Sequence, residues 1–571
     1  MNKTITLITI ILLVSLQAFS QTPNWVWAKD AAVGYSQSNS VATDASGNVY
    51  VCGAFYYPTI VFDNDTLVNL NPINYPGDIL LVKYDAAGNY LWARSAGGMA
   101  ADIANAVTVD VFGNVYIAGY FTSDTIHFGS ILITNPDSAS LVFLAKYDSN
   151  GNVIWAKSAG VTGDEAANAI VTDAAGNVYV AGQFQGDSMT IGNTTFINMD
   201  TTDNIFLPLS DLFLARYDSS GNVIWVIRAG GTKNDKPTSL IADAAGNLYL
   251  SGAFESDSIT FGSTLLINND NSGNTSDIFL VKFDTNSNVI WAKQAGGTGN
   301  EFAGTVSIDA ANNIYLTGSS ASSPSISFGS VTISNYLGRF LAKYDSAGTA
   351  LWAINAGENA DFQEDGNFVT ADAFGNVYLS GNFRSNTITF DSITLTNSNN
   401  NATNDIFLVK YDSSGNLNWA KMVGGVYDDI AMAITCDVSC DIYLTGYFGS
   451  PTAVFAPTTL NNPGMYLAKI DNTTGINEIT QNNYGVLTYP DPANTIIIIH
   501  ENNFQLSYSR NEFPSQLIIT DILGNEIYKE IMTGMDKSID VSRWSDGVYF
   551  YQISIPNQPG KETMHGKFVK E

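Results

Sequence analysis

The sequence predicts an all-β protein: a seven-bladed β-propeller of four-stranded blades followed by a small β-sandwich. Three observations carry that reading. A unit of 61 to 70 residues is written seven times, complementary half-units stand at the two ends of the array, and the pattern changes near Asp471. Composition agrees. The 571 residues are 45 % apolar and 12 % aromatic with 49 glycines, a mixture that favours strands and turns over long helices.

Residues 1–20 read as an export signal. Lys3 precedes an apolar run from Ile5 to Leu16, and Ala18-Phe19-Ser20 places small residues where a signal peptidase cuts, between Ser20 and Gln21. The run is too short to cross a hydrocarbon core of about 30 Å. No later segment is apolar enough to span a membrane, so a soluble exported chain is expected.

Residues 21–471 hold the repeats. Trp recurs at Trp27, Trp92, Trp155, Trp225, Trp291, Trp352 and Trp419, usually within Trp-Ala-Lys. A second marker, Asp-x-x-Gly-Asn-Val-Tyr, starts at Asp44, Asp110, Asp173, Asp243, Asp309, Asp372 and Asp437, with Asn312 and Cys440 at the Gly place in two copies. A third, Lys-Tyr-Asp-x-x-Gly-Asn, starts at Lys83, Lys146, Arg216, Lys282, Lys343, Lys410 and, degraded, Lys469. Alternation and turn chemistry split each unit into four strands. In the third unit these are Ala169–Thr172, Val178–Phe184, Leu212–Tyr217 and Asn222–Arg228, with a tight turn over Asp173–Asn177 and a small extra hairpin between strands two and three.

The ends of the array indicate a closed ring. Trp25–Lys29 is a fourth strand with no third strand before it, and Met465–Asp471 is a third strand with no fourth behind it. The N-terminal strand is therefore expected to complete the seventh blade, which removes unpaired edges. The unit Ser40–Tyr50, with its Gly-Gly and Trp-Ala-Lys companions, resembles the SBBP family of bacterial β-propeller repeats over about Asn24 to Asp471. That resemblance implies an exported propeller and says little about activity.

Residues 472–483 read as a polar linker and 484–571 as a separate domain, with short strands and the turn signals Asp521–Asn525 and Ser545–Gly547. Tyr489-Pro490-Asp491-Pro492-Ala493, Asp521-Ile522-Leu523-Gly524, Ile539–Ser542, Gly547-Val548-Tyr549 and Lys567–Lys570 resemble, in order, the type A C-terminal sorting domain of type IX secretion. The resemblance implies export past an outer membrane, the secretion machinery as partner, and release or surface attachment.

Chemistry is sparse. With 25 Lys and Arg against 54 Asp and Glu, the net charge of −29 makes nucleic acid an unfavourable partner. The three histidines, His127, His500 and His565, form no cluster with zinc or triad spacing, so no catalytic residue, cofactor or metal centre is assigned. Cys436 and Cys440 flank the seventh turn and are a candidate disulfide, while Cys52 reads as a buried apolar residue. Aligning the units exposes an acidic position eight residues before each turn Asp: Asp102, Glu165, Asp235, Glu301, Glu364 and Asp429, with Ser36 alone departing. These carboxylates either cap loop N–H groups of a neighbouring blade, which their recurrence favours, or ring the channel mouth and gather calcium or another cation. The function classes left are a protein- or glycan-binding interaction module, a polysaccharide-active enzyme using Asp and Glu carboxylates, and a passive surface structural protein. Segments that differ between blades are the better place to look for a site.

Overall fold

The computed structural model describes residues 23–30, 35–71, 76–136, 139–160, 163–198, 209–270, 275–321, 323–334, 338–357, 367–399 and 403–471, and in the tail 486–489, 496–501, 515–521, 525–532, 536–545, 547–554 and 564–570. Every regular element among them is a strand. They fall into two compact units, one ending at Gly475 and the other beginning at Ile476. The expected export signal with its Ser20–Gln21 junction, the 472–483 linker and Glu364 lie outside the described residues.

Seven four-stranded antiparallel sheets follow one another in the first unit. Blade 1 consists of Ser36–Thr43, Val49–Phe55, Asp78–Tyr84 and Tyr90–Ala96. Blades 2 to 6 open on Asp102, Glu165, Asp235, Asn300 and Asn367. Blade 7 takes Asp429–Cys436, Ile442–Phe448 and Gly464–Ile470 from its own unit, and its fourth strand is Trp25–Asp30 from the other end of the array, with Ala28 opposite Ala468. Each sheet packs on the next. Trp27, Tyr443 and Leu467 of blade 7 share one core with Val49, Val51 and Leu80 of blade 1, which closes the ring as the half-units predicted. Second and third strands are covered on both faces by neighbouring blades. In blade 1 both are therefore buried along their whole length, whereas its fourth strand is open on one side.

The marker turns form because one carboxylate satisfies a whole loop. Asp44 Oδ1 accepts from the N–H groups of Ser46 (2.9 Å) and Asn48 (3.0 Å), and Oδ2 accepts from Asn48 Nδ2 (2.7 Å) and the Tyr50 hydroxyl (3.0 Å). Asn312 and Cys440 substitute for Gly by adopting φ of 59° and 65°.

First strands start earlier than alternation suggested: in the third unit at Glu165 rather than Ala169. A β-bulge at Asn168 shifts the register between Ala167 and Ala169 and breaks the period of two. The bulged residue turns toward the next blade. Asn39, Asn105 and Asn168 donate through Nδ2 to the carbonyls of Ala104, Ala167 and Pro237, each at 2.9 Å, lacing successive inner strands together. All seven expected hairpins between strands two and three are present.

The second unit has a three-stranded sheet (Val486–Tyr489, Ile496–Glu501, Asp536–Asp540) and a four-stranded one (Ser515–Thr520, Glu526–Met532, Gly547–Ser554, Met564–Lys570). Ile539 of the first joins Leu517, Ile519 and Tyr551 of the second in one core, which makes a β-sandwich.

Candidate functional site

The residues repeated in every blade are occupied in holding blades together. Lys83 Nζ and Trp92 Nε1 of blade 1 both donate to the Ser149 carbonyl in the outer turn of blade 2, at 3.0 and 3.1 Å. Gly151 in that turn takes φ of 78°, and a Cβ there would lie 3.0 Å from the Trp92 ring, so glycine is favoured on both counts, although blade 4 holds Ser287 at the same place with φ of 67°. Lys146 with Trp155 grips Ser219, and Lys343 with Trp352 grips Ser413, in the same way. Lys469 reaches the Ala86 carbonyl (3.4 Å) across the closure.

The aligned acidic position is also structural in its geometry. Asp102, Glu165, Asp235, Glu301 and Asp429 are all 0 % exposed. Asp102 accepts from the N–H groups of Thr122 and Ser123 (3.2 Å each) and from Ser123 Oγ (2.7 Å). Asp235 accepts from Ser256 Oγ and Gly231 N (2.7 Å each), Glu301 from Gly297 N (2.9 Å) and Ser320 Oγ (2.8 Å), and Asp429 from Ser450 Oγ (2.8 Å). The donors belong chiefly to the loop after the second strand of the same blade, and in two cases to the loop arriving from the previous blade. Among the described residues no group of three or more His, Cys, Asp or Glu is arranged to hold a metal ion.

Sequence reasoning missed the partners of these carboxylates. Asp78, Asp211, Asp277 and Asp405 head the third strands of blades 1, 3, 4 and 6, each at most 1 % exposed. Each stands 24 residues before an acidic residue of the next blade's inner strand, namely Asp102, Asp235, Glu301 and Asp429. A backbone bond brings the two strand ends together: Asp102 N donates to Gly77 O at 2.7 Å, and Glu301 N to Ser276 O at 2.8 Å. Burial is the main cause that pushes Asp78 and Asp235 up to about 7, and Asp102 and Asp429 up to about 6. The fixed spacing of 24 was the available signal.

A different kind of place opens where the ring closes. Between blades 7 and 1 lies a cavity of about 500 Å³ lined by Tyr35, Gln37, Tyr427, Asp428, Met432 and Tyr447, among others. The repeat breaks here in three ways. The bulge residue is Met432, where blades 1 to 3 carry Asn and blade 4 carries Thr238, so its contact with blade 1 is a long bond from Gln37 Nε2 to its sulfur (3.9 Å). Ser36 stands where other blades carry the buried carboxylate. Tyr35 stands where Asp164, Asn234, Asn300 and Asp428 cap a backbone N–H of the preceding blade. The Tyr35 ring packs against Tyr56 and Tyr447, both at 5.3 Å between centroids, and Tyr427 is 57 % exposed. An aromatic surface kept in water beside a concave wall is the common form of a ligand site. The departure at Ser36 was the one sequence signal of this junction, and it was read only as an exception in the acidic series. The tyrosines themselves lay in loops that carried no motif.

His127 is exposed in the hairpin of blade 2, and its N–H donates to the Gly97 carbonyl. Cys52, Cys436 and Cys440 are free thiols. The candidate pair does not face across its hairpin, because Cys436 pairs with Ile442 and its sulfur turns to the Ala371 carbonyl (3.3 Å) in blade 6.

Residues 487–570 match the secretion system C-terminal sorting domain family. The tail is a secretion sorting domain. A chain bearing that sorting domain is a secreted or cell-surface protein, and the domain engages the secretion machinery. An uncharacterized WD repeat-containing protein of Acanthamoeba polyphaga mimivirus is 25 % identical over 561 residues, covering 83 % of this chain and 39 % of its own length. Regulatory protein FlaEY of Caulobacter vibrioides is 32 % identical over 116 residues, covering 20 % of this chain and 12 % of its own. The chain thus spans well under half of either relative. Among solved structures, PorZ, a surface component of the type IX secretion system of Porphyromonas gingivalis, matches 94 % of this chain and 81 % of its own at 12 % identity and a TM-score of 0.22. The acylaminoacyl peptidase of Pyrococcus horikoshii matches 83 % and 57 % at 10 % identity and a TM-score of 0.38. At such scores the propeller rests on the sheet order of this chain itself.

Proposed function

We propose that the protein is an interaction module, delivered by type IX secretion, whose SBBP-like propeller binds a protein or glycan ligand in the tyrosine-lined cavity between blades 7 and 1. The observation that carries this is the break in the repeat. At this junction Ser36 takes the place of the buried carboxylate, Tyr35 the place where Asp164, Asn234, Asn300 and Asp428 cap the preceding blade, and Met432 the place of the bridging Asn39, Asn105 and Asn168, and these changes coincide with the cavity. A polysaccharide-active enzyme would need a carboxylate pair within reach of substrate and water, and the pairs found are fully buried.

The full chain, incubated with a panel of polysaccharides and surface-protein extracts, should retain a ligand without cleaving it, and Tyr427→Ala should lose that retention while keeping the melting temperature. Cleavage products that persist in Tyr427→Ala would instead support an enzyme with its site elsewhere.

A further inference from the structure

We propose that the cavity between blades 7 and 1 takes an ammonium group, the charged end of an organic cation; this rests on the reading that the cavity is the ligand site. Three tyrosines, Tyr35, Tyr427 and Tyr447, contribute to its wall, and Asp428 is its charged lining residue. Among the described residues no Lys, Arg or His lines it. Aromatic faces attract cations through their quadrupole, and a carboxylate at the rim adds a full charge.

Asp428 is held for that role. Its Oδ1 accepts from the backbone N–H of Asn404 (2.9 Å) and from Asn404 Nδ2 (3.0 Å), which orients the side chain. Asp429, the next residue, is buried at the head of the inner strand. Burial comes first among the causes that raise the Tyr447 phenol above its ordinary value, and the Tyr35 phenol, Asp429 and Asp428 add to it. With Asp428 on its wall the cavity favours a positive group, and the −29 charge of the whole chain draws cations toward it. A cation needs only the ring faces and the charge.

The test uses the full chain and three probes followed by NMR titration: choline, Nα-acetyl-lysine amide, and 3,3-dimethylbutanol, the uncharged isostere of choline. At least one ammonium probe should bind about tenfold or more tightly than the isostere. Asp428→Asn, which keeps the acceptor for Asn404, and Tyr427→Ala should each weaken that binding about five- to tenfold. Stronger choline binding would point to a quaternary headgroup as the source, and stronger lysine binding to a protein side chain. Equal affinity for choline and its isostere would overturn the ammonium proposal while leaving the cavity as a ligand site. Retention of a polysaccharide through Tyr427 with no ammonium binding would do the same. Failure of every probe and every panel ligand would overturn both readings.

Discussion

Asp277, heading the third strand of blade 4, and Glu301, heading the inner strand of blade 5, are two fully buried carboxyl groups close enough to shift each other's titration. Two carboxylates cannot both be ionised at such a place without a large desolvation and repulsion penalty. A proton held on either removes much of it. Burial accordingly raises both groups above the usual carboxylate range. Burial raises Asp429 and Asp78 in the same way, with like-charge repulsion from Asp405 and Asp102 adding to it, so the propeller carries several protons in its blade interfaces that an unfolded chain would release near neutrality.

Stability should therefore fall as pH rises. A carboxyl group whose folded pKa is raised binds protons more tightly in the native state, so its contribution is whole below the unfolded value of about 4 and is lost as pH climbs through the folded value. With Asp102 and Asp429 at about 6, and Asp78 and Asp235 at about 7, the loss falls between pH 4 and pH 8. The turn aspartates work in the opposite sense. Hydrogen bonds from Asn222 and Asn288 lower Asp218 and Asp284, whose contribution is present above about pH 4 and lost below it. Calorimetry should find the highest melting temperature between pH 4 and 6, with a loss of the order of several kcal/mol by pH 8. A melting temperature that rises steadily from pH 5 to 8 would contradict the buried pairs.

Asp277→Asn should raise the melting temperature at pH 8 and leave it nearly unchanged at pH 5. The amide keeps the shape and removes one buried charge. The expected gain at pH 8 is about 1–2 kcal/mol. Equal effects at the two pH values would mean that the substitution acts through packing instead.

How much of this was legible follows from what a repeat can display. Trp92, Lys83 and Asp44 recur in register, so their structural role and the sevenfold architecture were readable from spacing alone. The closure by Trp25–Asp30 was readable because a missing fourth strand at one end matched a spare one at the other. The carboxylate pairs were not read, since Asp78 and Asp102 belong to different strands of different blades and Leu141, Gly338 and Gly464 interrupt the series. Inner-strand starts were missed because the bulge at Asn168 destroys the alternation by which strands are recognised. The tyrosine cavity depends on side chains from separate loops, and loops of irregular length carry no period to read.

Millimolar calcium should leave the melting temperature unchanged. Asp102, Asp235, Glu301 and Asp429 each have their oxygens engaged by N–H and hydroxyl donors and are closed to solvent, so a cation would have to displace satisfied bonds. A calcium-dependent rise measured by scanning fluorimetry, abolished in Asp102→Asn with Asp235→Asn and Asp429→Asn, would instead restore the acidic ring as a cation site.

The pairs also explain a sequence habit that had no cause on its own. Gly-Gly follows the fourth strand at Gly97-Gly98, Gly230-Gly231, Gly296-Gly297 and Gly424-Gly425, and these are the blades whose third strand opens on Asp. A Cβ on Gly97 would lie 2.3 Å from Asp78 Oδ1, and one on Gly98 would lie 2.3 Å from the Thr125 carbonyl. Asp78 cannot swing away, because its Oδ2 accepts the Leu70 N–H at 3.0 Å and its surroundings are closed. Gly97→Ala should therefore destabilise the propeller by about 2 kcal/mol or more. In an Asp78→Ala background the same substitution has a methyl-sized space to enter, and its cost should shrink to about 0.5 kcal/mol. Thermal melts of the four proteins at pH 5, where Asp78 is protonated and charge drops out, complete the double-mutant cycle. A coupling energy near zero would show that Gly97 answers to the backbone of its loop and not to Asp78.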